Sequence, residues 1–160
     1  MSELDDVLMA IYRGNLKGLE KFTSEQLNAR DQDGRTPLMH AVLAENADPA
    51  LVKFLIARGA DVNATDNDQR WTALHFAARD QKEEVVRALL DAGANIDPVD
   101  VFGNTPLWRA VMNASSNLSV IQELIKRGAK PHKKNSSDVA PIDIAKQSGR
   151  DDIVVVLEKK

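Results

Sequence analysis

Apolar positions recur along this chain in short helical patches, each opened by the same polar signal. In PLMHAV, Leu38, Ala41 and Val42 fall at the spacing that lines one side of a helix. Leu74, Ala77 and Ala78 repeat that spacing, and so do Leu107, Ala110 and Val111. A threonine stands just before each patch, at Thr36, Thr72 and Thr105. Its hydroxyl in that place accepts from an orphan N–H of the first turn, for about 1 kcal/mol. Pro37 and Pro106 come next, at a position where no donor is needed, and Ala73 takes that place in the second patch. A longer apolar patch follows each short one: Leu51-Val52-Phe54-Leu55-Ile56, Val85-Val86-Ala88-Leu89-Leu90 and Val120-Ile121-Leu124-Ile125. Each of these predicted helices stops at a glycine, Gly59, Gly93 or Gly128, placed for a left-handed cap.

The patches belong to a repeat. DQDGRTPLMHAV from Asp31, DNDQRWTALHFAA from Asp66 and DVFGNTPLWRAV from Asp100 align, and NSSDVAPIDIA from Asn135 is a weaker fourth; their starts lie 35, 34 and 35 residues apart. The ends LIARGADVNAT, LLDAGANIDPV and LIKRGAKPHKK register as well. The predicted unit is a turn, a short helix, a tight turn and a longer helix. One such unit cannot bury its apolar side, whereas stacked neighbours can.

Composition narrows the chemistry. The 160 residues are 43% hydrophobic but only 4% aromatic, so the interior is predicted to be built from Ala, Leu, Val and Ile. The net charge of −3 lacks the basic excess of a nucleic-acid binder. With no cysteine, disulfides and thiolate chemistry are excluded. The acidic MSELDDVLMAIY does not read as a secretory signal, and no apolar run reaches the ~20 residues that span a bilayer. The expectation is a soluble, cytoplasmic protein.

The TPL starts, the small-residue helices and the LLxxGADVNA ends resemble the ankyrin repeat, most closely in TALHFAA at 72–78 and LLDAGANI at 89–96. The resemblance implies an all-α solenoid of stacked helix-turn-helix units joined by hairpin-like turns. It divides the chain into an N-terminal capping repeat at 1–30, repeats at 31–65, 66–99 and 100–134, and a C-terminal cap at 135–160. Residues 46–49 and 113–119 lengthen two inter-helix turns, and DNDQRWT carries one residue more than DVFGNT.

The resemblance also implies a protein-binding module, with contacts at hairpin tips and on the exposed, concave side of each first helix. By position these are Gln32, Asp33 and Arg35; Asn67, Asp68, Arg70 and Trp71; Val101, Phe102 and Asn104 at the tips. On the helices they are Leu43 and Ala44, Arg79 and Asp80, Arg109, and Met112 and Asn113. Trp71 and Phe102 read as neighbouring exposed rings flanked by arginine, the composition of an interface hot spot. The alternative is that the extra hairpin residue folds Trp71 back onto the array. Trp108 aligns with Met39 and His75 and reads as packing between repeats.

No motif for catalysis is present, and His40, His75 and His132 are too dispersed for a metal site, so neither an enzyme nor a cofactor is expected. The partner is expected to be another protein, with no nucleic acid or membrane. The chain is similar to compact bacterial ankyrin proteins that act as immunity factors, which implies a toxin domain as the partner to be occluded, and the polar capping repeats favour a monomer. The alternative is a regulatory or scaffolding subunit with no inhibitory role.

Overall fold

The structure, a computed structural model, describes residues 2–159. It holds helices α1 (Glu3–Tyr12), α2 (Leu16–Leu19), α3 (Pro37–Leu43), α4 (Pro49–Ala57), α5 (Ala73–Arg79), α6 (Glu83–Asp91), α7 (Pro106–Met112), α8 (Ser119–Lys126), α9 (Pro141–Gln147) and α10 (Asp151–Leu157). A 3-10 turn at Gln26–Asn28 completes the first unit, and no strand occurs among the described residues. The first helices pack in series, α1 on α3, α3 on α5, α5 on α7 and α7 on α9. The second helices form a parallel series, α4 on α6, α6 on α8 and α8 on α10. The fold is therefore an all-α repeat solenoid two helices thick.

The local signals act where the sequence places them. Thr36, Thr72 and Thr105 accept from the N–H groups of Met39, His75 and Trp108. Leu38, Leu74 and Leu107 are buried beneath them, in a core whose buried Phe and Trp rings among the described residues are Phe22, Trp71 and Phe76. At Gly59, Gly93 and Gly128 the backbone turns left-handed, with φ of 98°, 85° and 92°.

Charged side chains tie one unit to the next at several junctions, Lys82 and Arg150 among them. Lys82 donates to the carbonyls of Val42 and Ala44, both at 2.7 Å, and so satisfies the open C-terminal end of α3. Arg150 does the same for the carbonyls of Ala114 and Ser115 beyond α7.

His75 is a further tie, and it is fully buried. Its Nδ1 accepts from the N–H of Thr72 at 3.2 Å, which leaves Nε2 to donate to the carbonyl of Asn104 in the following unit at 3.0 Å. Burial depresses its pKa below the ordinary 6.5; the Asn104 carbonyl and the Asp100 charge oppose that without reversing it. The unfolded chain thus takes up a proton that the folded chain refuses. Stability is complete above pH 6.5 and declines as pH falls below it toward the folded value. Urea midpoints measured from pH 7.5 to 5 are expected to fall, and His75→Asn is expected to flatten that slope even if it lowers every midpoint. An equal slope in the variant would remove His75 as the cause.

Candidate protein-binding surface

Each unit begins with the same turn, and one side chain organises it. Oδ1 of Asp31 accepts from the N–H groups of Asp33 and Arg35. Oδ1 of Asp66 accepts from Gln69 and Trp71, that of Asp100 from Phe102 and Asn104, and that of Asn135 from Ser137 and Val139. Asx side chains favour such turns because they bond their own backbone a few residues on. Successive turns are then joined edge to edge. Asn67 N–H donates to Asp33 O, Val101 N–H to Gln69 O, and Ser136 N–H to Phe102 O, each within 3.0 Å. The tips thus form one continuous row across four units.

Close approach in that row explains a residue choice. A Cβ on Gly103 would lie 2.9 Å from the amide nitrogen of Ser136, and its φ is +77°. Arg70 and Asp138 adopt the left-handed conformation at the corresponding points of their own turns, with φ of 58° and 62°.

The first helices stand beside this row. Asp31 Oδ2 bonds His40 Nε2 at 2.8 Å, and His40 Nδ1 accepts from the exposed Tyr12 hydroxyl at 2.8 Å. Asp100 Oδ2 pairs with Arg109, nine positions on in the next turn of sequence as His40 is from Asp31. Burial pushes the Asp100 carboxyl up, but Arg109 and the N–H groups of Asn104 and Phe102 outweigh it and hold the pKa below 3.8.

Arginines and rings alternate over three units. The Arg35 guanidinium lies 5.8 Å from the Phe76 ring, and Arg79 lies 5.4 Å from Phe76 and 5.2 Å from Trp71. Arg109 lies 4.6 Å from Trp71 and 5.2 Å from Trp108. Cation–π contacts of this kind are worth about 0.5–2 kcal/mol according to how far they are desolvated. Each arginine also keeps a carboxylate: Asp33, Asp80 and Asp100 in turn. The face is thereby rigid and its guanidinium charge is balanced.

The expected contact residues divide on this surface. Asn67, Asp68, Arg70, Asp80, Val101, Phe102, Met112 and Asn113 are exposed, and Arg35, Arg79 and Arg109 are half-buried. Leu43 and Ala44 are also half-buried. Phe102 and Met112 stand out at 56% and 60% exposure, and Val99 and Val101 are exposed as well.

Two expectations are corrected. Trp71 is not an exposed neighbour of Phe102: it is 5% exposed, its ring stacks on His75 at 5.8 Å, and its Nε1 donates to Asp100 at 3.1 Å. It stands directly before the Thr72 helix cap and reaches Asp100 of the next unit. Asn104 stands at that same point of its own turn and is 4% exposed. Its Oδ1 accepts from Asn135 of the following unit at 2.7 Å. The position before the cap thus reaches the next unit's Asx residue in both cases. Aligning Trp71, Asn104 and the caps by number would have separated these two residues from the tips.

Trp108 is half-buried beside Arg109, and its Nε1 has no hydrogen-bond partner among the described residues. Among the described residues no group of three or more His, Asp or Glu is arranged to hold a metal ion, and no helix is long and apolar enough to cross a membrane.

The description Ankyrin repeats (3 copies) matches residues 7–100 and 42–135. The chain belongs to the ankyrin-repeat family. It is 34% identical over 124 residues to the tyrosine-protein kinase Shark of Drosophila melanogaster, covering 77% of this chain and 13% of that one. It is 42% identical over 103 residues to inversin of Canis lupus familiaris, covering 64% and 9%. It is 32% identical over 153 residues to the human transient receptor potential cation channel subfamily A member 1, covering 92% and 13%. The chain therefore spans only a small part of these relatives. As an ankyrin-repeat protein it is a protein–protein interaction module, and its named relatives differ in everything their names describe.

Proposed function

We propose that this ankyrin-repeat protein binds a protein partner along the tip row and the adjoining faces of α3, α5 and α7. It acts as a cytoplasmic monomer whose third unit supplies the central anchor. The observation that carries the reading is the set of exposed apolar side chains that unit presents, Val101 and Phe102 at its tip and Met112 at the end of α7, with Val99 exposed just before it. Large exposed apolar groups rimmed by polar ones mark interaction sites. The rim here is Asn67, Asp68 and Arg70 on the preceding tip and Asn113 at the end of α7. Arg35, Arg79 and Arg109, held by rings and carboxylates, pay little entropy on binding because they are already ordered. Occlusion of a bacterial toxin is the narrower form of this proposal and rests on sequence resemblance alone.

Phe102→Ala tests the reading. A partner captured with the parent protein and then purified is expected to bind the variant about 30-fold or more weakly, the loss of roughly 2 kcal/mol expected of a hot-spot ring. Thermal unfolding is expected to be unchanged, since the ring supports no core contact. Undiminished affinity in Phe102→Ala and Met112→Ala alike would end the proposal. If the partner is an enzyme, its activity with and without the bound chain separates occlusion from scaffolding.

A further inference from the structure

Charge is distributed unevenly along the chain. The segment KRGAKPHKK at 126–134 holds five Lys and Arg and no Asp or Glu. The remaining residues then hold 16 basic and 24 acidic side chains, a net of −8, against −3 for the whole. The corresponding segments of the two preceding units are ARGADVNAT and DAGANIDPV, with one and two aspartates. Counting Arg58, their net charges are 0 and −2, against +5 in the third unit.

The structure places this segment at the end of α8 and in the loop that leads to the fourth turn. Lys126, Lys130, His132 and Lys134 are exposed. Lys126 and Lys130 have no carboxylate within 4.0 Å among the described residues, Lys133 reaches only the carbonyl of Asp97, and Lys134 pairs with Asp138 at 3.0 Å. The nearby acids are already engaged. Glu123 is buried between Arg87 and Arg127, Asp91 pairs with Arg127, and Asp97 accepts from the Lys130 amide. Ala129 and Pro131 floor a shallow depression between Lys130, His132 and Lys133. A second shallow depression joins Lys126 to Lys159 on α10's side.

We propose that residues 126–134 form a second docking strip, separate from the tip row, for an acidic, Asp- and Glu-rich segment of a protein partner. Charge complementarity argues for the occupant. Lysine ammoniums are mobile point charges that suit monodentate carboxylates on a flexible chain. The one guanidinium of the strip, Arg127, is committed to Glu123 and Asp91, so bidentate phosphate recognition has no free donor. The strip also has no Phe, Tyr or Trp on which a base could stack. An anionic bilayer is disfavoured because the remainder of the chain, at −8, would be drawn toward a surface of like charge.

The test uses the full chain, poly-L-glutamate as probe, and two comparison probes, phosphatidylserine vesicles and duplex DNA. Poly-L-glutamate is expected to shift the backbone amide signals of 126–134. The effect is expected to fade as ionic strength rises from roughly 0.01 to 0.15 M, where the Debye length contracts from about 30 to 8 Å. The double variant Lys126→Glu, Lys130→Glu changes two exposed, unpaired side chains and is expected to abolish the shifts with an unchanged melting temperature. Phe102→Ala is expected to retain them, so this strip stands or falls apart from the tip row. No shift with poly-L-glutamate, or shifts that survive the double variant, overturn the proposal. Vesicles or DNA that bind at an ionic strength where poly-L-glutamate does not would also overturn it.

Discussion

Trp71→Ala is expected to lower the unfolding free energy by about 3–5 kcal/mol, the range for truncating a large buried ring. The loss has several sources, all at one junction. The ring packs 5.0 Å from Phe76 and 5.8 Å from His75, and two guanidiniums, of Arg79 and Arg109, lie over it. Truncation opens a cavity between the second and third units and leaves Asp100 without its indole donor. Phe102, its expected partner at the surface, is expected to behave in the opposite way. Phe102→Ala should stay within about 0.5 kcal/mol of the parent, as exposed positions do. Urea unfolding followed by circular dichroism checks both. Equal midpoints for Trp71→Ala and the parent would mean that the ring carries no packing, and the account of this junction would fall with it.

Asp100→Ala is expected to cost a similar amount, about 3–5 kcal/mol, because removing one partner of a buried pair strands the other. The side chain is wholly buried, and it accepts from Phe102, Asn104, Trp71 and Arg109 together. Asp100→Asn is expected to cost less, since an amide oxygen still receives the two N–H groups of the turn. The sign of the pH effect follows from the lowered pKa. The ionised carboxylate contributes its full stability above the ordinary value of 3.8 and loses it as pH falls through the folded value. Acid titration of the parent and of Asp100→Asn by circular dichroism checks this, with a shallower acid limb expected in the variant. Matching limbs would show that Asp100 does not govern acid unfolding.

What could be read along the chain was whatever one unit decides alone. The 34–35-residue spacing, the Thr36, Thr72 and Thr105 caps and the left-handed Gly59, Gly93 and Gly128 each depend on contacts within a few residues. Local pattern therefore specifies them, and an all-α stack follows because no unit can bury its own apolar side. Phe102 and Met112, which the repeat positions turn outward, stay more than half exposed among the described residues.

Trp71 and Asn104 were settled by the tertiary structure. Each faces an acceptor or donor about 30 residues away, Asp100 for one and Asn135 for the other. A position before a helix cap can turn outward or toward the following unit with little local difference in energy. The partner across the junction breaks that tie, and only the assembled stack brings it within reach. The alternating series of Arg35, Phe76, Arg79, Trp71, Arg109 and Trp108 has the same origin: its members come from three units, and stacking alone puts them in contact.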